Sequence, residues 1–376
     1  MTGKSHPLQP PFRAEHIGSL VRPQELLEAR RRHEAGEIDA GELRSFEDDA
    51  IRHVVSLQEE LGLQVVTDGE FRRGTYSDSF TNSGITGISS IETETEGWRK
   101  SDAHGHRTAQ RIPRVVDKIN WAGPQNAQNF AYLKSLTKVT PKVTIPGPAY
   151  IHYRAGRDNI SRDVYPDLDN FWSDLVSAYH EEMNALANEG CTYLQIDETS
   201  LVKLGDPRVR QLLVDRGDNW EDLLRLYTDV VNRVVAGAPP GMSVGIHICR
   251  SQNVNWQADV GYDPIAPVLF NDMNVGFYFL EYDNARAGTF EPLAHVPKDK
   301  TVVLGIVSSH SEELETIDYL KRRIEDASAF IDLDQLALSP QCGFSTGADM
   351  SDPAAADRQT RKLALIVKVA KEIWGD

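Results

Sequence analysis

The sequence predicts an α/β fold, a single (β/α)8 barrel of the TIM type. Short β-branched apolar runs recur along the chain, helical patterns lie between most of them, and eight such runs can be counted. Strands that alternate with amphipathic helices are typical of a parallel sheet covered by helices. An open doubly wound sheet usually has about five or six strands and a glycine-rich first turn. No GxGxxG motif follows the first run here.

The predicted elements follow one another in chain order. The strands cover residues 15–19, 64–70, 142–146, 192–197, 243–249, 276–281, 301–307 and 335–339. Apolar side chains at helical spacing predict helices over residues 44–61, 168–188, 220–235, 312–331 and 353–374. The whole chain, residues 1–376, is therefore predicted to form one catalytic barrel. Residues 80–140, rich in Ser, Thr, Gly and Asn, interrupt the alternation, and we expect an insertion after the second strand, a hairpin or a lid over the barrel mouth.

The composition describes a soluble globular protein and excludes several functions. The formal net charge of −16 disfavours binding to nucleic acid or to acidic membrane surfaces. No apolar run reaches the roughly 18 residues of a membrane span, and the amino terminus lacks the apolar core of a signal peptide. We therefore expect a cytoplasmic protein. The oligomeric state does not follow from the sequence.

Four metal-ligand side chains are predicted to meet at the carboxyl ends of the strands, where the active sites of such barrels lie. His247 and Cys249 are two residues apart on one strand and so point to the same face, while Glu281 and Cys342 follow other strands. One imidazole, two thiolates and one carboxylate suit tetrahedral Zn²⁺. The alternative is that both cysteines are small packed side chains. The third cysteine, Cys191, opens the fourth strand and is assigned to packing.

Two carboxylates, Glu70 and Asp197, end different strands and are expected to converge at the same mouth. They could be the acid and base of a glycosidase, a magnesium site, or the anchors of a substrate ammonium group. Alternatively they form salt bridges. The arginines that could pair with them, or could hold an anionic end of a substrate, are Arg72, Arg73 and Arg250.

His310 follows the seventh strand, and its imidazole could act as a general acid at the mouth. The alternative is a surface histidine in the loop before Glu312.

Taken together, the strand ends resemble the catalytic domain of the cobalamin-independent methionine synthase family, and more closely its short single-barrel relatives. The motifs that carry the resemblance are Ile17-Gly18-Ser19, Asp68-Gly69-Glu70, Gln195-Ile196-Asp197-Glu198, His247-Ile248-Cys249, Glu281, His310-Ser311 and Cys342-Gly343. Each motif is short, but the ensemble is specific and extends over nearly the whole chain.

The resemblance implies zinc-dependent transfer of a methyl group to the thiol of homocysteine or a close analogue. It implies that His247, Cys249, Glu281 and Cys342 bind Zn²⁺. It also implies that Ile17, Gly18 and Ser19 hold the carboxylate of the amino acid, and that Glu70 and Asp197 hold its ammonium group. The partners would be a small thiol acceptor and a methyl donor.

Two departures from the family pattern bear on the donor. The long members carry a second, amino-terminal half that helps to bind a polyglutamylated folate, and we expect this chain to lack it. In the family an aspartate stands two residues before the proton-donating histidine, whereas Ser308 precedes His310 here. A methyl-corrinoid, a simple methylfolate and a small methylated compound all remain open as donors.

Two other functions remain open at this point. Epoxyalkane:coenzyme M transferase is similar to this family and shares the zinc motif, but its acceptor carries a sulfonate and no amino group. A carboxylate-based hydrolase would use Glu70 and Asp197 as acid and base and would need no thiol.

Overall fold

The computed structural model describes residues 9–93, 100–101, 107–108, 110–250, 258–345 and 353–375. The helices in this part of the chain are α1 (Gln24–Glu34), α2 (Ala40–Glu60), α3 (Gln125–Leu136), α4 (Tyr150–Tyr153), α5 (Leu168–Asn188), α6 (Leu201–Leu204), α7 (Pro207–Arg216), α8 (Trp220–Ala236), α9 (Ala266–Asn271), α10 (Ile317–Ser328) and α11 (Pro353–Trp374). The strands are β1 (Val65–Val66), β2 (Ile88–Thr93), β3 (Lys100–Ser101), β4 (Arg107–Thr108), β5 (Gln110–Val115), β6 (Thr140–Pro141), β7 (Val143–Pro146), β8 (Tyr193–Glu198), β9 (Ser243–Ile248), β10 (Phe277–Glu281), β11 (Thr301–Val307) and β12 (Leu336–Pro340). Within the described ranges, no helix has the length and apolar character that crossing a lipid bilayer requires.

A six-stranded parallel sheet forms the centre of the molecule. Its strands lie in chain order from β7 to β12, and each strand pairs only with its sequence neighbours. β1 forms a second parallel pair with β6, and β6 lies directly before β7 in the chain. The predicted α/β fold with a parallel sheet is thereby confirmed. Among the described residues, the strand pairings do not close this sheet into a ring.

The first predicted strand, residues 15–19, is wrong as a regular strand. Ala14 makes a single parallel bridge to Leu338 of β12, with the Glu15 N–H donating to the Leu338 carbonyl at 2.9 Å. Beyond it the carbonyls of His16 and Ile17 accept hydrogen bonds from buried side chains instead of from a neighbouring strand. Gly18 then takes a φ of 146°, which turns the chain.

The second predicted strand, residues 64–70, is shorter than expected. Only Val65–Val66 form β1, because Gly69 and Glu70 adopt positive φ angles of 68° and 62° and bend the backbone away from the sheet. Glu70 is the one non-glycine residue among the described positions with such a φ. Its side chain is thereby redirected at the end of the strand.

The five predicted helices are confirmed, three of them with different bounds. α5 and α11 match residues 168–188 and 353–374, whereas α10 is shorter than residues 312–331 because Thr316 caps it and accepts from the Tyr319 N–H. α2 begins in a capping box between Asp39 and Glu42. Among the longer helices, α1, α3 and α7 were not predicted from the sequence, because each buries only two or three apolar side chains.

Residues 80–140 contain both a hairpin and a helix. β2 and β5 pair in antiparallel register, Ile88 opposite Val115, and α3 follows them before β6. The hairpin is tied to the loop after α4, since Asn159 Nδ2 donates to the Pro113 carbonyl and Val115 bridges to Ile160. The antiparallel pairing of β2 with β5 is consistent with the expected hairpin. The insertion itself and closure of a lid over the mouth stay predictions.

Apolar side chains fill both faces of the central sheet. One large cluster lies between the sheet and the helices that cover it, as expected for a parallel sheet. A smaller interior cluster lies on the opposite face of the strands and consists of Phe12, Ile17, Val65, Tyr193, Phe277, Phe279, Val303 and Ala337. This interior cluster forms the floor beneath the strand ends that carry the site.

Gly245, two residues before His247 on β9, leaves the space that the Phe277 ring occupies. An added Cβ would overlap that ring, which belongs to the interior cluster. We expect Gly245→Val to lower the free energy of unfolding by about 1–3 kcal/mol, because overpacking forces neighbours off their rotamers. Urea unfolding measures the change. Gly276→Val is the control, since a Cβ there would meet only the Val244 carbonyl at 3.6 Å. Equal stability of the two variants would contradict this account of the core.

Candidate active site

The four predicted metal ligands meet at the carboxyl edge of the parallel sheet. His247 lies in β9, Cys249 directly follows it, Glu281 ends β10, and Cys342 follows β12. Their ligand atoms all lie within 4.8 Å of one another. His247 Nε2 is 3.3 Å from Cys342 Sγ and 3.9 Å from Glu281 Oε1, and the two sulfur atoms are 3.9 Å apart. The parallel register brings them together, because Phe279 of β10 lies beside His247.

This cluster is buried, and burial changes the acidity of its members. The pKa of the Cys249 thiol is held well below its usual value by the hydrogen bond with Cys342 and by the neighbouring imidazole of His247. Burial raises the pKa of Glu281 well above the ordinary range, and the charge of Cys249 adds to the effect. Burial alone would lower the pKa of His247, but its hydrogen bond to Cys249 and the charge of that sulfur raise it. The negative charges of Cys249 and Glu281 thus disfavour one another in this buried cluster.

The donor set fits a tetrahedral transition-metal ion. Two thiolates bound at about 2.3 Å with tetrahedral angles are separated by about 3.8 Å, and a thiolate and an imidazole by about 3.6 Å. The observed separations of 3.9 Å between the sulfurs and 3.3 Å between Cys342 Sγ and His247 Nε2 are close to those values. A cation would also neutralise the anionic groups that burial forces together. Glu281 is oriented as well, because its Oε1 accepts from the Arg250 N–H at 2.9 Å.

The segment Ile17–Gly18–Ser19 packs directly against Glu70. The Thr67 hydroxyl donates to the Gly18 carbonyl at 2.7 Å, which fixes the segment to the end of β1. A Cβ on Gly18 would lie 2.8 Å from both Glu70 Oε1 and Thr144 Cγ2, so no larger residue fits. Ser19 faces the other way along the mouth, donating from Oγ to the Ser345 carbonyl at 3.1 Å. The segment therefore joins Glu70 to the loop that carries Cys342.

Glu70 and Asp197 approach the mouth from two different strand ends, as predicted. Glu70 Oε1 accepts from Thr144 Oγ1 at 2.9 Å and pairs with Arg73 at 2.8 Å. Asp197, on β8, lies beside His247 of β9 in the parallel register. Burial raises the pKa of Asp197 to about 7, and the charge of Glu70 contributes in the same direction, against the opposing effect of His247. A cationic group placed between the two carboxylates would lower that pKa.

Glu198, the neighbour of Asp197, points to the other face of β8, as alternation along a strand requires. Its Oε1 accepts from the Ser200 N–H at 2.6 Å. It takes no part in the cluster at the mouth.

The three arginines have protein partners in this structure. Arg72 points towards α2, where it pairs with Glu47 at 3.3 Å and Asp48 at 2.6 Å. Arg73 pairs with Glu70 and also donates to Thr144. The Arg250 guanidinium donates to the carbonyls of Ala258, Val260 and Arg286. Each arginine thus has a structural role, and binding of a substrate anion by any of them stays a prediction.

His310 lies in the loop after β11 at an exposed position. Its N–H and that of Ser311 both donate to Ser308 Oγ at 3.3 Å. Partial burial of the ring lowers the pKa of His310, and the charge of Asp283 opposes this effect. Asp283 follows β10 and also hydrogen-bonds Ser308. A carboxylate thus lies near His310, although it comes from a different element than the family pattern implies.

Sequence reasoning missed the side chains beneath the mouth that hold these groups in place. Thr144 on β7 supports Glu70, while Lys142 donates to Gln195 on the side of the sheet that carries the interior cluster, with its ammonium group over the Phe279 ring. The sequence predicts only that Lys142 lies in a strand, yet its side chain is fully buried. A lysine at the start of an apolar run is a signal that could have been used, because a buried lysine needs a partner.

In this α/β fold an imidazole, two thiols and a carboxylate meet at the strand ends of a parallel sheet. This arrangement defines a candidate metalloenzyme. The profile of the cobalamin-independent synthase family, catalytic domain, matches residues 12–372. This chain belongs to that family.

Individual relatives cover nearly the whole chain. YxjG of Bacillus subtilis is 36% identical over 371 residues, which are 97% of this chain and 96% of YxjG. The methionine synthase of Pyrococcus abyssi is 26% identical over 329 residues, 87% of this chain and 85% of that protein. A solved structure of a candidate vitamin-B12 independent methionine synthase from Listeria monocytogenes has a TM-score of 0.76 at 31% identity and covers 98% of this chain and 99% of its own.

Removal of one thiol from the cluster should remove the metal site without unfolding the protein. We expect Cys342→Ser to lower the affinity for a divalent metal by at least about 100-fold, because even the loss of a group that only orients a ligand costs about 10- to 100-fold. Metal content after dialysis against a weak chelator, with circular dichroism as a check on folding, measures this. Cys191→Ser is the matched control, since Cys191 is also buried but donates to the Tyr193 carbonyl at the far end of β8. Equal metal content in both variants would contradict the assignment.

Proposed function

We propose that this protein is a zinc-dependent methyltransferase whose acceptor is the thiol of homocysteine or a close analogue. The observation that carries the proposal is the meeting of His247, Cys249, Glu281 and Cys342 within 4.8 Å, beside the carboxylates of Glu70 and Asp197. The methionine synthase relatives support the same reaction. Bound zinc supplies the positive charge that favours a thiolate over a thiol at neutral pH.

We also propose that the parallel sheet belongs to a closed (β/α)8 barrel. Hydrogen bonds on both sides of residues 15–20, the segment before α1, support the closure of the sheet. The Glu15 N–H donates to Leu338 of β12, and the Leu20 N–H donates to the Gly69 carbonyl beyond β1. The Lys142 N–H in turn donates to the Val66 carbonyl, which links β1 to the start of β7. The interior cluster would then be the filled centre of the barrel.

In the proposed reaction the residues of the mouth bind and orient the acceptor. Glu70 and Asp197 would receive its ammonium group, since an ammonium nitrogen has three donors and can hydrogen-bond to both carboxylates, of which Glu70 is also paired with Arg73. The segment Ile17–Gly18–Ser19 would receive its carboxylate. The acceptor sulfur would then point towards the four zinc ligands. A new bond forms between that sulfur and the methyl carbon as the bond from the methyl carbon to the donor breaks in line, and His310 would protonate the leaving atom.

The alternative acceptor, a thiol that carries a sulfonate, has less support. It would need a positively charged group at the mouth, whereas Arg72, Arg73 and Arg250 are engaged by protein partners. The hydrolase alternative leaves the His247, Cys249, Glu281 and Cys342 cluster without a role. The methyl donor stays open among a methyl-corrinoid, a simple methylfolate and a small methylated compound.

The nature of the acceptor can be tested with the cobalt-substituted protein. We expect homocysteine to change the thiolate-to-cobalt charge-transfer band, because its sulfur enters the metal site, and coenzyme M to leave that band unchanged. Absorption titrations of both thiols measure this. A response to coenzyme M alone would indicate an epoxide-opening enzyme instead. A protein that binds no metal under reducing conditions would refute the zinc proposal.

Asp197→Asn should weaken acceptor binding while metal binding is retained. We expect the dissociation constant of homocysteine to rise by about tenfold or more, since a hydrogen bond to a charged group contributes about 1.5–3 kcal/mol and about 1.4 kcal/mol corresponds to tenfold. Glu198→Gln is the control, because Glu198 is equally buried but points to the other face of β8. A variant at 197 that loses metal and keeps its homocysteine affinity would show that the ammonium assignment is wrong.

A further inference from the structure

A buried ion pair lies directly beneath the mouth. Lys142 Nζ is 3.3 Å from Glu15 Oε2, and both side chains are fully buried. Glu15 Oε1 accepts further hydrogen bonds from Tyr193 Oη at 2.7 Å and from the Phe12 N–H at 3.0 Å. Burial lowers the pKa of Lys142, and Glu15 opposes that shift. The carboxylate of the pair thus has further hydrogen-bond donors, which a buried ion pair needs in order to be stable.

Lys142 fixes the orientation of the Gln195 amide. A lysine ammonium group has only donors, so the Gln195 atom that lies 3.0 Å from Lys142 Nζ must be the carbonyl oxygen Oε1. The Gln195 Nε2 then carries both remaining donors. One donates to the Ile17 carbonyl at 2.7 Å and the other to Asp197 Oδ1 at 2.7 Å. Every hydrogen-bonding atom of this amide is therefore used, and no flipped orientation satisfies the same partners.

The two acceptors of Gln195 belong to the two parts of the proposed acceptor site. Ile17 opens the segment that would hold the acceptor carboxylate, and Asp197 is one of the two carboxylates that would hold the ammonium group. In an α-amino acid these two groups sit on one carbon, so their separation is fixed. The buried amide of Gln195 donates both to the Ile17 carbonyl and to Asp197. It thereby fixes the separation of the carboxylate site and the ammonium site to match that of the two groups on an α-amino acid.

We propose that Gln195, locked by Lys142, is the positioning residue that sets this spacing and so selects thiols carrying an amino group and a carboxylate on one carbon. The inference rests on the proposed function in that it takes homocysteine or an analogue as the acceptor. It adds a residue that touches no substrate atom. The selectivity would lie in the distance between two sites and not in either site alone.

The test compares three thiols on the cobalt-substituted protein: homocysteine, 4-mercaptobutanoate, which lacks the amino group, and 3-aminopropanethiol, which lacks the carboxylate. In Gln195→Glu the Lys142 contact is kept and both donors are lost. We expect the preference for homocysteine over the better single-group thiol to fall about tenfold, because two short hydrogen bonds that fix the spacing are removed. Affinity for each single-group thiol should fall less. Gln195→Met carries the same expectation without the added charge.

Gln335→Met is the matched control. Gln335 is also buried, and its Nε2 also donates to two acceptors, the carbonyls of Pro297 and Lys300, at the opposite end of β12. We expect this variant to lose stability and to keep the wild-type preference. A preference in the Gln195 variants equal to that of the control would overturn the inference.

A second measurement needs no ligand and separates this inference from the proposed function. Hydrogen exchange at the amides of residues 17–19 should be faster in both Gln195 variants than in the wild type and in the Gln335 control, because the Ile17 carbonyl has lost its donor. Unchanged exchange would refute the positioning role. Faster exchange in a protein whose wild type shows no preference for homocysteine would leave the positioning role standing and refute the proposed acceptor.

Discussion

The parallel register of β8, β9 and β10 is the constraint on which the site depends. Asp197 lies beside His247, and His247 lies beside Phe279, so one shift of the register would separate the carboxylate from the imidazole and both from Glu281. Because side chains alternate along a strand, a shift by one residue would also turn His247 and Cys249 to the helix-covered face. The buried clusters on both faces of the sheet oppose such a shift.

Charge compensation is the second feature that shapes this molecule. Carboxylates come to the mouth and its floor from several elements, and most of them have a cation nearby: Lys142 for Glu15, Arg73 for Glu70. Asp197 differs in that its described hydrogen-bond partner is the neutral amide of Gln195, while the charges of His247 and Arg73 act on it without a direct ion pair. In a buried site a carboxylate without a cation is unfavourable, and such groups are often found where a charged ligand binds. The ion pair of Glu70 with Arg73 and the raised pKa of Asp197 thus distinguish the two carboxylates of the mouth.

Sequence alone predicted much of this arrangement, for a physical reason. The carboxyl ends of parallel strands lie at one edge, so His247, Cys249, Glu281 and Cys342 could be brought together without knowing any distance. The partners of the arginines could not be predicted in this way. Arg72 and Arg73 are adjacent in sequence, yet one points to α2 and the other to Glu70, because the backbone bends at Glu70. Patterns of residue type do not record such a bend.

Residues 17–19 leave their main-chain amide groups outside the hydrogen bonds of the sheet. A regular strand would have used its amide groups in a ladder, but this segment does not form one, and the N–H groups of Ile17, Gly18 and Ser19 donate to no other described residue. Three successive amide donors, in a segment whose carbonyls are held by buried side chains, would be available to an anionic group of the proposed acceptor. Binding through main-chain amides would not require the side chains of residues 17 and 19 to touch the anion, which leaves Ile17 to fill the interior cluster and Ser19 to hold the loop after β12.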